Sequence, residues 1–301
     1  MENLETELET RRQKVVSLTW KCVIPFIIIG VLIVVFSFIS GKMLIPFVFI
    51  DFTIGLIVTL VVTNKPRKEF VKLYKDRVVG DAFSKIFEDV VYTPDRGIDR
   101  QVIANTQMMY MGDIYRSNDH ISAKYKGISL EAADVDIQEQ HTDSDGNTTY
   151  VTIFSGQWFI FDFNKAFKAD LQVVDKHFGN AKRGGLFSKK KFNKVELEDI
   201  EFNKAFKVYA EHDEDAFYVL SPGTMEKIKT LRNGTKGKIL LCFINNKLHV
   251  GLYNGLDMFE PKIFKKVNLQ QEEEKVLGQI RIITNFVDTL NLDNDLFRRE
   301  V

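Results

Sequence analysis

Two long apolar runs near the N-terminus constrain this chain more than any other feature. From Cys22 to Ser40 nineteen consecutive positions carry no charge, and from Met43 to Thr63 twenty-one positions carry one, Asp51. A helix needs about 20 apolar residues to cross ~30 Å of hydrocarbon, so each run predicts a transmembrane helix. Only Gly41 and Lys42 clearly separate the two, which predicts a tight helical hairpin. Pro25 and Pro46 are expected in the first turns, where a missing N–H costs least. A cleaved signal peptide fits the first run poorly, because the run is long, no A-x-A site follows and a second span comes at once.

Basic residues near the membrane ends predict orientation. Arg11, Arg12, Lys14 and Lys21 precede the first span, Lys42 alone lies between the spans, and Lys65, Arg67, Lys68, Lys72, Lys75 and Arg77 follow the second. Both termini are therefore expected in the cytoplasm, with Trp20 as an interfacial aromatic anchor. The expected organisation is a cytoplasmic segment 1–21, a hairpin 22–63 and a cytoplasmic domain 64–301. An external receptor domain has no place in this scheme.

Charge narrows the partners. The 41 basic and 41 acidic residues cancel; the first 63 positions hold five of each, so the remainder is neutral as well. A dedicated nucleic-acid binder shows a basic excess, so nucleic acid is not expected as a partner. Cys22 and Cys242 are too far apart in sequence to form a zinc site or a disulfide framework by themselves.

Beyond residue 64 the pattern is mixed. Residues 67–90 predict an amphipathic helix leaving the membrane, with Pro66 at the junction and Phe70, Tyr74, Val78, Phe83 and Ile86 near helical spacing. From Asp113 to Phe163 β-favouring runs take over, with turns expected at Ser117–Asp119 and at the Asp-Gly of Asp143–Asn147. Gly156 is expected to mark a bulge or bend. Asp213 opens a helical stretch, and Ser221-Pro222 restarts a helix with a serine N-cap. Lys238–Ile244 and Lys247–Tyr253 predict a hairpin. Val276, Ile280, Ile283, Val287 and Leu290 give one apolar seam to a closing helix at about 270–291. Strands grouped between helices without regular alternation predict an α+β fold, an antiparallel sheet with flanking helices.

These pieces together carry a resemblance. The two-span hairpin, Phe154-Ser-Gly156, Phe202 with Phe206–Tyr209, Asp213–Pro222 and the hairpin after Gly237 resemble the bacterial domain-of-unknown-function family numbered 3137. The resemblance implies a bacterial membrane protein, sometimes encoded near LemA-like membrane proteins, and supplies no catalytic residues.

Catalytic motifs are mostly missing: no G-x-S-x-G, H-E-x-x-H or phosphate-loop spacing occurs. The five histidines are widely separated, and neither a catalytic residue, a metal ligand set nor a cofactor is expected. Asp143, Asp145 and Asn147 suggest a calcium loop, but glycine falls at the wrong position and no distal Glu follows, so a hairpin turn is expected. Glu211–Asp215 reads as a helix start whose acids complement the dipole. Lys182, Arg183, Lys189, Lys190, Lys191 and Lys194 form a basic loop, either solvated or in contact with anionic lipid. Asp51 is the sharpest anomaly, since a mid-membrane carboxylate costs ~2.5–3.5 kcal/mol. It is expected level with Leu32, and is protonated, hydrated within a bundle or paired with another chain. Gly30 and Gly55 at similar depth permit the close helix approach such an assembly needs. The leading expectation is a membrane-anchored binding or scaffold module, associating with itself or with a partner membrane protein such as a LemA-like one. A membrane-tethered enzyme with a scattered site, and a transport-assembly subunit, are the alternatives.

Overall fold

The computed structural model describes residues 2–162, 170–179 and 192–292. The chain divides into two compact units, one comprising residues up to Asp81 together with Glu260–Val276, the other Ala82–Phe259 and the chain from Leu277 on.

In the first unit, α1 (Glu2–Ser40) and α2 (Ile45–Tyr74) form the expected hairpin. Gly41 takes a positive φ at the reversal, and Pro46 sits at the start of α2. Two expectations need correction. Pro25 lies inside α1, which begins twenty residues before the apolar run, and α2 runs through Pro66 without ending. The reason for the early start is tertiary. Leu8 and Val15 are buried, Arg12 donates to the Ile263 carbonyl at 3.0 Å, and Glu9 accepts from the Val267 amide at 3.0 Å. The segment before the apolar run is thus the first half of a long helix, fastened to 260–276. After α2 the backbone widens into a π-helical turn, Lys75–Val79. There Tyr74 donates to Glu272 at 2.8 Å and the buried Lys75 pairs with Glu260.

The second unit begins in α3 (Gly80–Ile86) and is dominated by one nine-stranded antiparallel sheet. Its strands are β1 (Glu88–Thr93), β2 (Ile114–Tyr125), β3 (Ile128–Thr142), β4 (Thr148–Asp162), β5 (Leu171–Asp175), β6 (Asn193–Val195), β7 (Phe206–Ala210), β8 (Lys238–Ile244) and β9 (Lys247–Tyr253). The order is β1-β2-β3-β4-β9-β8-β5-β7-β6, so the β8–β9 hairpin is inserted between β4 and β5. The other helices among the described residues are α4 (Arg100–Ala104), α5 (Ile200–Ala205), α6 (Asp213–Val219), α7 (Pro222–Gly234) and α8 (Leu269–Leu290), the last of which belongs to this unit from Leu277 on. The fold is α+β, as the sequence pattern predicts.

The central strands bury both faces. Trp158 and Ile160 of β4 join Val174, Leu240 and Cys242 in one cluster, while Phe159 and Phe161 on the other face pack on Phe286 of α8 at 5.5 and 6.4 Å. The α8 seam residues are all buried. Ser221 caps α7 by accepting from the Thr224 amide at 3.3 Å. The acids of 213–215 occupy the first turn of α6, as expected from the dipole. The 143–147 turn closes on itself, with Asp143 accepting from the Asp145 and Asn147 amides and Gly146 at positive φ.

Two strand expectations fail. Ser117–Asp119 is no turn: β2 continues through it, with a bulge between Asn118 and Ile121 where Asp119 takes a positive φ. The bulge of the β3–β4 pair falls opposite Ile137/Gln138, two to three residues before Gly156. Gly156 serves a different purpose: a Cβ there would lie 2.1 Å from the Leu252 carbonyl oxygen.

Candidate functional site

The bulge in β2 and the crowding at Gly156 build one polar corner of the sheet. Asp119, Asp134 of β3 and Asp257, in the loop after β9, place carboxylate oxygens within 4.8 Å of one another. Asp119 and Asp134 are buried, Asp257 is exposed. Asp119 accepts from the Tyr92 hydroxyl and from Asn118 Nδ2 at 2.7 Å. Asp134 accepts from Gln157 Nε2 at 3.0 Å and from the Met258 amide at 2.7 Å. Gln157 also donates to the Leu256 carbonyl at 2.7 Å and accepts from Asn254 at 2.8 Å.

Burial, followed by the neighbouring Asp257 carboxyl, holds the Asp134 pKa well above the ordinary carboxylate range. A proton shared between the two carboxyls resolves their repulsion. An all-oxygen donor set suits a hard cation. Yet both Asp134 oxygens and both Asp119 oxygens already accept hydrogen bonds from the protein. The corner therefore acts as a clamp that holds residues 254–258 against the sheet. Beside it opens a polar cleft of about 290 Å³, bordered by Arg116, Asp136, Gln138 and Asp257. Asp136 Oδ1 is buried there without a hydrogen-bond partner among the described residues. Strongly shifted acids beside a cleft are a recurrent mark of functional sites.

Sequence reasoning missed this corner, since its three acids come from a bulge, a strand and a loop far apart in the chain. One signal was present: Asp134 falls between Ala133 and Val135 at a position that is buried.

The hairpin residues do converge. Asp51 stands beside Gly30 rather than level with Leu32, its Oδ2 3.4 Å from where a Cβ would sit on Gly30. Gly55 receives the Phe26 ring, whose Cγ would lie 2.7 Å from an added Cβ. Phe26, Gly30, Asp51 and Gly55 line an apolar groove of about 560 Å³. Of the basic loop, Lys182, Arg183, Lys189, Lys190 and Lys191 lie outside the described residues. Lys194 is exposed on β6 and ion-paired with Glu196 at 2.6 Å.

Residues 152–292 match the sequence profile of a family described as "Protein of unknown function (DUF3137)". The chain resembles that family. The matched stretch contains β4 from Thr152 on, the β8–β9 hairpin and the 254–258 loop, and so most of the partners of Asp134. No curated protein matches the chain. Among solved structures, the crystal structure of the mycobacterial trehalose monomycolate transport factor A, TtfA, aligns at 12% identity. The alignment covers 73% of this chain and 95% of that one, with a TM-score of 0.38.

Proposed function

We propose that this protein is a membrane-anchored binding or scaffold module of the bacterial inner membrane. The hairpin of α1 and α2 crosses the bilayer twice, both termini lie in the cytoplasm, and residues 64–301 present the sheet domain there. The observation that carries the reading is the outward display of apolar side chains along both helices. Phe38 is 92% exposed, Phe49 and Phe52 70% each, a surface that water would not tolerate and lipid satisfies. Two such helices among the described residues are long and apolar enough to cross a membrane.

The partners follow from chemistry. Asp51 favours self-association or a second membrane protein, for which the family resemblance suggests a LemA-like one. Lys182, Arg183, Lys189, Lys190, Lys191 and Lys194 would add contact with anionic lipid at the cytoplasmic face. A membrane-tethered enzyme is the second reading, favoured by the shifted Asp134 beside its polar cleft. Binding alone needs no shifted acid, so an activity abolished by Asp134→Asn in protein that still folds would favour the enzyme.

Reporters fused after residue 301 and before residue 11 should both be cytoplasmic, while a cysteine at position 41 should react with an impermeant reagent from outside. External reporting by the C-terminal fusion would overturn the module as described.

A further inference from the structure

The groove between α1 and α2 combines an unusual pair of features. Its walls, including Val23, Phe26, Val48 and Phe52, are apolar, and one carboxyl, Asp51, stands among them. Asp51 receives no hydrogen bond or ion pair from the described residues. Between Val23 and Phe36 and between Ile45 and Val62, the only other polar side chains are Thr53 and Thr59. Thr59 is buried and donates to the Gly55 carbonyl at 2.7 Å. Thr53 is exposed and donates to the Phe49 carbonyl at 2.7 Å, which leaves its oxygen free to accept. Two residues apart on a helix, Asp51 and Thr53 lie about 160° around the axis from each other. The first is on the groove side, the second on the opposite ridge beside Phe49.

We propose that the groove is filled by the Thr53 ridge of α2 from a second copy of this chain. The Asp51 carboxyl, in its acid form, donates to Thr53 Oγ1 of that copy, whose own proton stays on its Phe49 carbonyl. Two copies inserted with the same orientation bring Asp51 and Thr53 to within ~3 Å of the same depth without any adjustment of register. A lipid chain would fill the groove but offer the carboxyl nothing. The contact joins different faces, so it is heterologous and extends to a ring or a chain of copies. This inference rests on the membrane-anchored reading and names its partner.

The test uses full-length protein in native membranes, in a Cys22→Ser background; Cys242 is buried and is left in place. One tagged population carries Val48→Cys, lining the groove, and a second carries Phe49→Cys, on the ridge. Coexpressed, the two should crosslink to each other several times more than either does to itself. Thr53→Val should weaken self-association roughly three- to twentyfold, the range of one interhelical hydrogen bond, and Thr53→Ser should restore it. Predominant crosslinking of like with like, wild-type association of Thr53→Val, or association without any of these crosslinks would overturn the proposal and leave the anchored module standing. A monomer by single-molecule photobleaching, with correctly placed topology reporters, would overturn it too and assign the groove to lipid or a different protein. Misplaced reporters would instead sink the underlying reading.

Discussion

Gly251→Ala is the smallest change that should be felt at the centre of the sheet. Gly251 of β9 pairs with Trp158 of β4. A methyl group there would lie 2.7 Å from Trp158 Cζ3, 3.1 Å from its Cε3 and 3.3 Å from Phe154 Cε2. Neither ring can retreat. Both have 0% exposure, their centroids are 5.6 Å apart, and Trp158 Nε1 donates to His249 Nδ1 at 3.3 Å. Burial keeps that imidazole neutral and able to accept, lowering its pKa to about 4. Overpacking a well-filled core costs about 1–3 kcal/mol. For a domain of this size that lowers Tm by roughly 2–10 °C. Trp158→Phe removes the ring atoms nearest the new methyl, so the double variant should be more stable than the two single costs predict, by ~1 kcal/mol or more. Far-UV circular dichroism melts of the full-length protein in detergent would measure all four species. A Gly251→Ala melt indistinguishable from wild type, or strictly additive costs, would refute the reasoning.

Two further perturbations test the charged interior. Arg232→Met should destabilise by an amount approaching ~3–5 kcal/mol, because it strips the buried Asp175 of an ion pair at 2.7 Å. Adding Asp175→Asn should recover much of that loss, and a denaturation midpoint unmoved by Arg232→Met would count against it. Because the Asp134 pKa is raised on folding, its stabilising contribution is complete below the unfolded value near 3.8 and is lost as pH rises through the folded one. Asp257→Asn removes one cause of the rise, so its denaturation midpoint should fall less than wild type between about pH 4 and pH 8; parallel pH profiles would dismiss the shared proton.

Periodicity carried most of the fold. The apolar runs, the Asn245-Asn246 turn between β8 and β9 and the 4-3-4-3 seam of α8 are all set by neighbours in the chain, through backbone hydrogen bonding, turn conformation and one-sided burial. The same local logic located Asp51, because a single charge within an apolar run stands out from its immediate neighbours alone. Local pattern could not extend α1 back to Glu2, since that half is polar on average and is held by Leu8, Val15 and contacts to 260–276, some 250 residues away. Nor could it carry β2 through Ser117–Asp119, where turn-favouring residues are overruled by the ladder with β3. The Asp119–Asp134–Asp257 corner is wholly a product of tertiary structure. Only the β2 bulge, the pairing of β3 with β2 and β4, and the 254–258 segment folded over them bury two carboxyls and make the third share their field.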